Sequence, residues 1–240
     1  MEELRSMEVN GVRLHFLDTG APEGKNPGPE PGAAARPVIL LHGNGESHEI
    51  FEMEIRQLTE AGYRVIAPDT RGHGANEPLT EYHYADMAED IYQLITALDL
   101  DHPALYGFSD GGITGLLLEL SHPGTLGLLA ISGTNLSPAG LEPSFVAEYA
   151  SQDADPLVHL MLTEPRIDPA ALKKIRIPVL VTAGTDDLIL REETERIAAH
   201  LPASRLVILE GEDHGSYVIG SEKMGELLLE FLKAQGYGAY

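Results

Sequence analysis

The stretch Gly107-Phe108-Ser109-Asp110-Gly111-Gly112 stands between two apolar segments of the chain. Residues 103–107 predict a short buried strand, and residues 113–120 predict a helix. A serine between two glycines, at a turn from strand to helix, has the G-x-S-x-G pattern of a strained turn that exposes the serine hydroxyl. Only glycine lets the neighbouring backbone pass so closely. The stretch indicates a nucleophilic serine, although a five-residue pattern also recurs by chance in ordinary loops.

The composition limits the classes of protein to consider. A chain of 240 residues fits one large α/β domain or two small ones. The absence of cysteine excludes a disulfide framework and a thiolate metal site or nucleophile. The formal net charge of −22 argues against nucleic acid and anionic membranes as partners. An acidic solvated surface, a salt-rich habitat and a preference for cationic ligands would each explain this charge.

No targeting or membrane segment is recognisable in the sequence. The first eight residues lack the basic and apolar regions of a signal peptide. No apolar run approaches the roughly 20 residues that span a bilayer. We therefore expect a cytoplasmic protein.

Predicted strands and helices alternate along most of the chain. Residues 7–18 predict a hairpin around Asn10-Gly11, residues 20–37 an exposed loop, and residues 132–176 one or two short helices without a strand. The remaining strands are predicted at 38–41, 63–67, 103–107, 126–131, 178–183 and 205–209, and the remaining helices at 50–61, 84–98, 113–120, 192–201 and 221–233. This order predicts a mostly parallel sheet with helices on both faces.

Polar clusters follow these predicted strands. They are residues 42–45, residues 69–74, Ser109, the pair Asp186 and Asp187, and His214. Ligands of such sheets bind at the carboxyl ends of the strands. The sequence therefore predicts one site formed by these clusters.

With these motifs the chain resembles the α/β-hydrolase superfamily of serine hydrolases over nearly all of its length. The resemblance rests on His42-Gly43, on Asp69-x-Arg71-Gly72-x-Gly74, on the Ser109 turn, and on an acid and a late histidine in the order Ser, Asp, His. It implies the α/β-hydrolase fold, a mostly parallel central sheet with helices on both faces and a short cap. The whole chain, 1–240, is expected to be a single domain with its cap at about 133–176.

The resemblance also implies the catalytic residues. Ser109 is expected to be the nucleophile and His214, the histidine after the last strand, its general base. The family pattern Gly-x-x-Asp favours Asp187 over Asp186 as the carboxylate that orients His214. The main-chain N–H groups of Asn44 and Asp110 are expected to form the oxyanion hole.

The activity expected from the resemblance is hydrolysis of a small-molecule carboxylic ester, without a metal or cofactor. The same residues would serve amide, thioester, lactone or carbon–carbon bond hydrolysis, and perhydrolysis, and a ligand-binding homologue without turnover stays open. Residues 107–114 resemble the elbow of valacyclovir hydrolase-like esterases, which cleave α-amino-acid esters. That likeness implies that the Asp110 carboxylate contacts a substrate ammonium. The alternative is that this carboxylate only caps its helix. The oligomeric state is not predicted.

Overall fold

The computed structural model describes residues 3–20, 37–152 and 154–238. Eight strands lie in these ranges: β1 (Glu3–Val9), β2 (Val12–Asp18), β3 (Val38–Leu41), β4 (Val65–Pro68), β5 (Ala104–Phe108), β6 (Leu128–Ser132), β7 (Val179–Asp186) and β8 (Ser204–Asp213). They form one sheet in the order β1-β2-β4-β3-β5-β6-β7-β8. Strands β3 to β8 run parallel, and β1 and β2 pair antiparallel at one edge. The predicted mostly parallel sheet is confirmed.

The first two strands form the predicted hairpin. Val9 pairs with Val12 across the turn. Asn10 and Gly11 both have positive φ, at 45° and 78°, as a type I′ turn requires. The expected loop at 20–37 lies, except for its two ends, outside the described residues.

Seven α-helices occur in the described ranges: α1 (Glu52–Glu60), α2 (Tyr84–Ala97), α3 (Asp110–Ser121), α4 (Pro143–Tyr149), α5 (Pro156–Thr163), α6 (Arg191–His200) and α7 (Lys223–Ala234). Alternate residues of the central strands face opposite sides of the sheet. Ile39 and Leu41 pack with α2, α3 and α6, whereas Val38 and Leu40 pack with α1 and α7. The sheet therefore has a core on each face, as predicted.

The segment after β6 contains the two predicted short helices, α4 and α5, together with 3₁₀ turns. Apart from residue 153, this segment is described through residue 176, and no strand occurs there. An isolated bridge joins Leu141 to Ile189, beyond β7. No helix in the described part of the chain is long and apolar enough to cross a membrane.

The fourth strand begins later than predicted. Residues 63–67 were expected to form it, but β4 begins at Val65. The Tyr63 N–H donates to Leu58 O, 2.9 Å away, so that Tyr63 belongs to the turn that closes α1. In the sequence, a buried tyrosine that closes a helix cannot be distinguished from one that begins a strand. This ambiguity explains why the predicted strand began two residues too early.

Candidate active site

Ser109 occupies the turn between β5 and α3. Its φ of 52° and ψ of −114° lie far from the strand and helix on either side. Its N–H donates to Ser132 O on the neighbouring strand, 2.8 Å away. A non-glycine residue at positive φ is strained and persists only where its surroundings hold it. The turn predicted from the sequence is therefore present.

Close backbone packing explains the two glycines of the turn. A Cβ atom at Gly107 would lie 2.2 Å from the main-chain oxygen of Gly111. A Cβ atom at Gly111 would lie 2.1 Å from the main-chain oxygen of Leu41. Any side chain at these positions would push α3 away from the sheet and displace Ser109.

His214 connects Ser109 to Asp187. The His214 Nε2 atom lies 3.1 Å from Ser109 Oγ, and its Nδ1 atom lies 2.6 Å from Asp187 Oδ1. Because a carboxylate only accepts hydrogen bonds, Nδ1 carries the proton in this arrangement and Nε2 is free to accept one. The structure thus brings together three residues predicted from the sequence.

Asp187 is held on several sides. Its side chain is 1% exposed. Oδ1 accepts from the Ile189 N–H at 2.9 Å, and Oδ2 accepts from the Gly184 N–H at 3.3 Å. Asp186 is exposed and stays in the sheet, where it pairs with Asp213. Of the two acids left open by the sequence, only Asp187 contacts His214.

The two predicted oxyanion residues lie beside Ser109. Asn44 follows β3 and Asp110 begins α3, and both line the pocket that contains Ser109. The N–H of a first helical residue has no acceptor within its helix, which leaves the Asp110 N–H available. The Gly43 N–H, by contrast, donates to Glu46 Oε2 at 2.8 Å.

The pocket over Ser109 has a volume of about 190 Å³. Its apolar wall consists of Phe108, Leu141, Phe145, Tyr149, Val158, Met161 and Leu188. Within residues 133–176 the sequence offers five apolar side chains for such a wall: Leu136, Leu141, Phe145, Leu160 and Met161. Leu136 and Leu160 do not line the pocket, because they are 1% exposed and pack in the core on the α2 and α3 side of the sheet.

Two carboxyl groups, Glu46 and Asp110, line the same pocket, and no Lys or Arg does so in the described chain. Burial raises the pKa of Glu46 above its ordinary value, although the Gly43 N–H opposes the change. Burial also raises the pKa of Asp110, although hydrogen bonds from Tyr84 and Asn44 oppose it. The pocket therefore disfavours additional negative charge.

The motifs around His42 and residues 69–74 shape the turns beside the site. His42 Nε2 accepts from the Thr70 N–H at 2.9 Å, and its Nδ1 lies 2.8 Å from Gly43 O. Burial lowers the pKa of His42 to about 4, so the ring is neutral at physiological pH. Asp69 accepts from the main-chain N–H groups of His48 and Ala75. These contacts indicate a structural role for both motifs.

Sequence reasoning missed three residues of the site. Glu46 lines the pocket, Tyr84 hydrogen-bonds to Asp110, and Gly133 lies against His214. A Cβ atom at Gly133 would come within 2.6 Å of His214 Cε1. Gly133 could have been found from its position directly after β6, because the polar clusters of the predicted site also directly follow strands. Nothing in the local sequence distinguishes Glu46 or Tyr84.

Comparisons with known proteins agree with this architecture. Residues 36–174 match the family model described as the alpha/beta hydrolase fold. The human serine hydrolase BPHL is 26% identical, the alignment covering 94% of this chain and 84% of that protein. A putative carbamate hydrolase RutD from Caulobacter is 29% identical, over 85% of this chain and 93% of that protein.

Solved structures show the same fold at lower identity. The enol-lactonase from Burkholderia xenovorans superposes with a TM-score of 0.76 at 19% identity, covering 95% of this chain and all of that one. The names of two of these proteins refer to different substrates, a carbamate and an enol lactone. The shared architecture therefore leaves the bond that is cleaved to be inferred from the site.

Proposed function

Since the chain belongs to the α/β-hydrolase family, we propose that it is a serine hydrolase that cleaves carboxylic esters through an acyl-enzyme on Ser109. The observation that carries the proposal is the hydrogen-bonded series from Ser109 through His214 to Asp187. A serine hydroxyl is a weak nucleophile at neutral pH and needs a base within hydrogen-bond reach. His214 Nε2 lies within that reach of the hydroxyl, and the bond from Nδ1 to Asp187 leaves Nε2 as the acceptor.

Acylation begins with attack of Ser109 Oγ on the ester carbonyl carbon. The serine proton passes to His214 Nε2 as the C–O bond forms, and the carbonyl oxygen becomes an oxyanion. The main-chain N–H groups of Asn44 and Asp110 donate to this oxyanion. When the intermediate collapses, the bond to the alcohol oxygen breaks and His214 gives its proton to the departing alcohol.

Deacylation repeats these steps with water. His214 takes a proton from a water molecule as the water oxygen attacks the acyl carbon of the Ser109 ester. The second tetrahedral intermediate releases the carboxylic acid and returns the proton to Ser109 Oγ. Asp187 holds the His214 ring in the required tautomer throughout and stabilises the imidazolium.

The proposed cap, residues 133–176, bounds the acyl group. Helices α4 and α5 supply Phe145, Tyr149, Val158 and Met161 to the pocket wall. A cavity of about 190 Å³ is small compared with the several hundred Å³ of ordinary drug-sized ligand pockets. These features favour short or compact acyl groups.

The test is turnover of a series of p-nitrophenyl esters by the wild-type protein and Ser109→Ala. Parallel assays with matched thioesters, lactones, anilides and carbon–carbon substrates rank the reactions that the same residues could serve. Faster turnover of one of those classes than of every ester would overturn the ester assignment. Binding without turnover of any class would indicate a ligand-binding homologue instead.

A second candidate is hydrolysis of amino-acid esters, which the pocket charges favour. The Asp110 and Glu46 carboxyl groups line the cavity without a Lys or Arg among its described lining residues. A partly desolvated carboxylate beside a substrate ammonium favours that substrate over a neutral one. The test compares amino-acid benzyl esters with their des-amino analogues in wild type and Asp110→Asn. Equal wild-type rates for both sets would exclude this candidate.

A further inference from the structure

The side chains of Asn44 and Asp110 are hydrogen-bonded to each other. Asn44 Nδ2 donates to Asp110 Oδ2 at 3.0 Å. Asn44 lies in the loop after β3, whereas Asp110 begins α3, so the bond joins two separate elements. The main-chain N–H groups of these same two residues are the proposed oxyanion donors. One side-chain bond therefore links the two halves of the proposed oxyanion hole.

The orientation of the Asn44 amide is determined by its surroundings. A second bond runs from Asn44 Nδ2 to the main-chain oxygen of Leu157 in α5, 3.2 Å away. A carboxylate and a carbonyl both accept, so the amide nitrogen must face them. Both hydrogens of the Asn44 amide are thus used, one in the bond to Asp110 of α3 and the other in the bond to Leu157 of α5.

The Asp110 carboxylate is also occupied. Asp110 is 7% exposed and accepts hydrogen bonds from Tyr84 as well as Asn44. Tyr84, at the start of α2, does not line the pocket and is 1% exposed. The carboxylate is therefore held from both sides by protein donors.

We propose that the Asn44 and Asp110 side chains are a positioning pair that aligns the two oxyanion N–H groups for every ester substrate, whatever its charge. This inference rests on the proposed function. Oxyanion donors stabilise the transition state only when they are held at the position that the charged oxygen will occupy. Asn44 stands between Gly43 and Gly45, so its loop needs an external tether to keep its N–H in place.

The inference separates two roles for Asp110. A residue that binds a substrate ammonium affects only cationic substrates. A positioning residue affects neutral esters equally, and it lowers kcat while leaving KM nearly constant, because the oxyanion forms only in the transition state.

The experiment measures kcat and KM for p-nitrophenyl acetate in wild type, Asn44→Ala, Asp110→Ala and Asp110→Asn. All variants keep both main-chain N–H groups. We expect kcat to fall about 10- to 100-fold in the two alanine variants, somewhat less than the loss of an oxyanion donor itself. Asp110→Asn keeps an acceptor oxygen toward Asn44 and should recover most of that loss.

A second readout is the affinity for a small alkyl boronic acid, which forms a tetrahedral adduct on the serine. This affinity should fall by the same factor as kcat/KM, because the adduct uses the same donors. Tyr84→Phe, which removes the other donor to Asp110 from outside the pocket, should produce a smaller decrease of the same kind. That variant also serves if Asn44→Ala does not fold.

Asn10→Ala is a matched control. Asn10 Nδ2 donates to Asp90 Oδ1 at 3.0 Å and to the main-chain oxygen of Asp86, outside the pocket. The Asn10→Ala substitution removes a hydrogen bond between an Asn and an Asp side chain, like that of Asn44 and Asp110. It should lower the melting temperature without changing kcat. Equal kcat in Asn44→Ala and Asn10→Ala would overturn the inference, and so would an Asp110→Ala defect confined to cationic substrates. Failure of the proposed function itself would appear separately, as ester turnover retained by Ser109→Ala.

Discussion

His214 Nδ1 and Asp187 Oδ1 are 2.6 Å apart, although the residues are separated by 27 positions in the chain. Asp187 stands at the carboxyl end of β7 and His214 at that of β8, and these two strands are adjacent and parallel. The neighbouring Asp186 remains exposed at the end of its strand. This contact therefore identifies Asp187, and not the neighbouring Asp186, as the aspartate that binds His214.

Replacing Asp187 by Asn should lower kcat by roughly 10³- to 10⁴-fold, because His214 would lose the carboxylate that holds its tautomer. Asp186→Asn is the matched control and should lower kcat far less. Steady-state kinetics with an activated ester measures both effects. A larger loss in Asp186→Asn would contradict the assignment.

Ser109→Ala should lower ester turnover by roughly 10⁴-fold or more, because the three residues act as a unit. An organophosphate should label wild-type protein at Ser109 and leave the alanine variant unlabelled. Peptide mapping by mass spectrometry measures the site of labelling. A modification that persists in the alanine variant would show that another residue is the nucleophile.

Gly133→Ala should displace His214 and lower kcat about 10²-fold, since a shift of 1 Å in a catalytic group can have that effect. The added Cβ atom would lie 2.6 Å from His214 Cε1 and 2.8 Å from Nδ1. Gly220→Ala is the control, because Gly220 also has positive φ, at 65°, with no atom within 4 Å of an added Cβ. Both variants should lose stability, but kcat should stay at the wild-type value in Gly220→Ala. Equal kcat in the two variants would refute the steric argument.

Glu54 should make the free energy of unfolding fall as the pH rises. Glu54 is fully buried on α1, and its two carboxyl oxygens have no hydrogen-bond partner in the described chain. Burial raises its pKa from 4.5 to about 8 in the folded state. Between these values the folded state keeps a proton that the unfolded state releases. This difference lowers the free energy of unfolding by up to about 1.4 kcal/mol per pH unit.

Glu54→Gln removes this titration and should become more stable relative to wild type as the pH increases from 5 to 8. Denaturant unfolding at several pH values measures the difference. Glu52→Gln, at an exposed position of the same helix, should give a difference that does not vary in this way. A constant difference for Glu54→Gln would show that this carboxyl group does not titrate across the interval.

Acyl chain length should affect the rate strongly. The pocket of about 190 Å³ is bounded by Phe145, Tyr149 and Met161 of α4 and α5. We expect the highest kcat/KM with short or compact acyl groups and no activation at a lipid interface. A series of p-nitrophenyl esters from C2 to C16 measures this preference. A maximum at about C12 or longer would contradict it.

The sequence alone determined most of the secondary structure and the position of the proposed nucleophile. The hairpin at Asn10-Gly11, the buried strands β3 and β5 and the helices α2 and α7 follow from short-range patterns. These patterns reflect the local sterics of the backbone and the burial of one or both faces. The Ser109 turn follows from the spacing of its glycines, although the atom that requires Gly111 is the main-chain oxygen of Leu41 on the neighbouring strand.

The tertiary structure decided the contacts between distant segments. It distinguished Asp187 from Asp186, kept Leu136 and Leu160 out of the pocket wall, and joined the side chains of Asn44 and Asp110. Neighbouring residues of the same type have nearly the same local pattern. The direction in which each side chain points, and what it meets there, depend on how the strands and helices pack. Distances between residues far apart in the chain arise only from that packing.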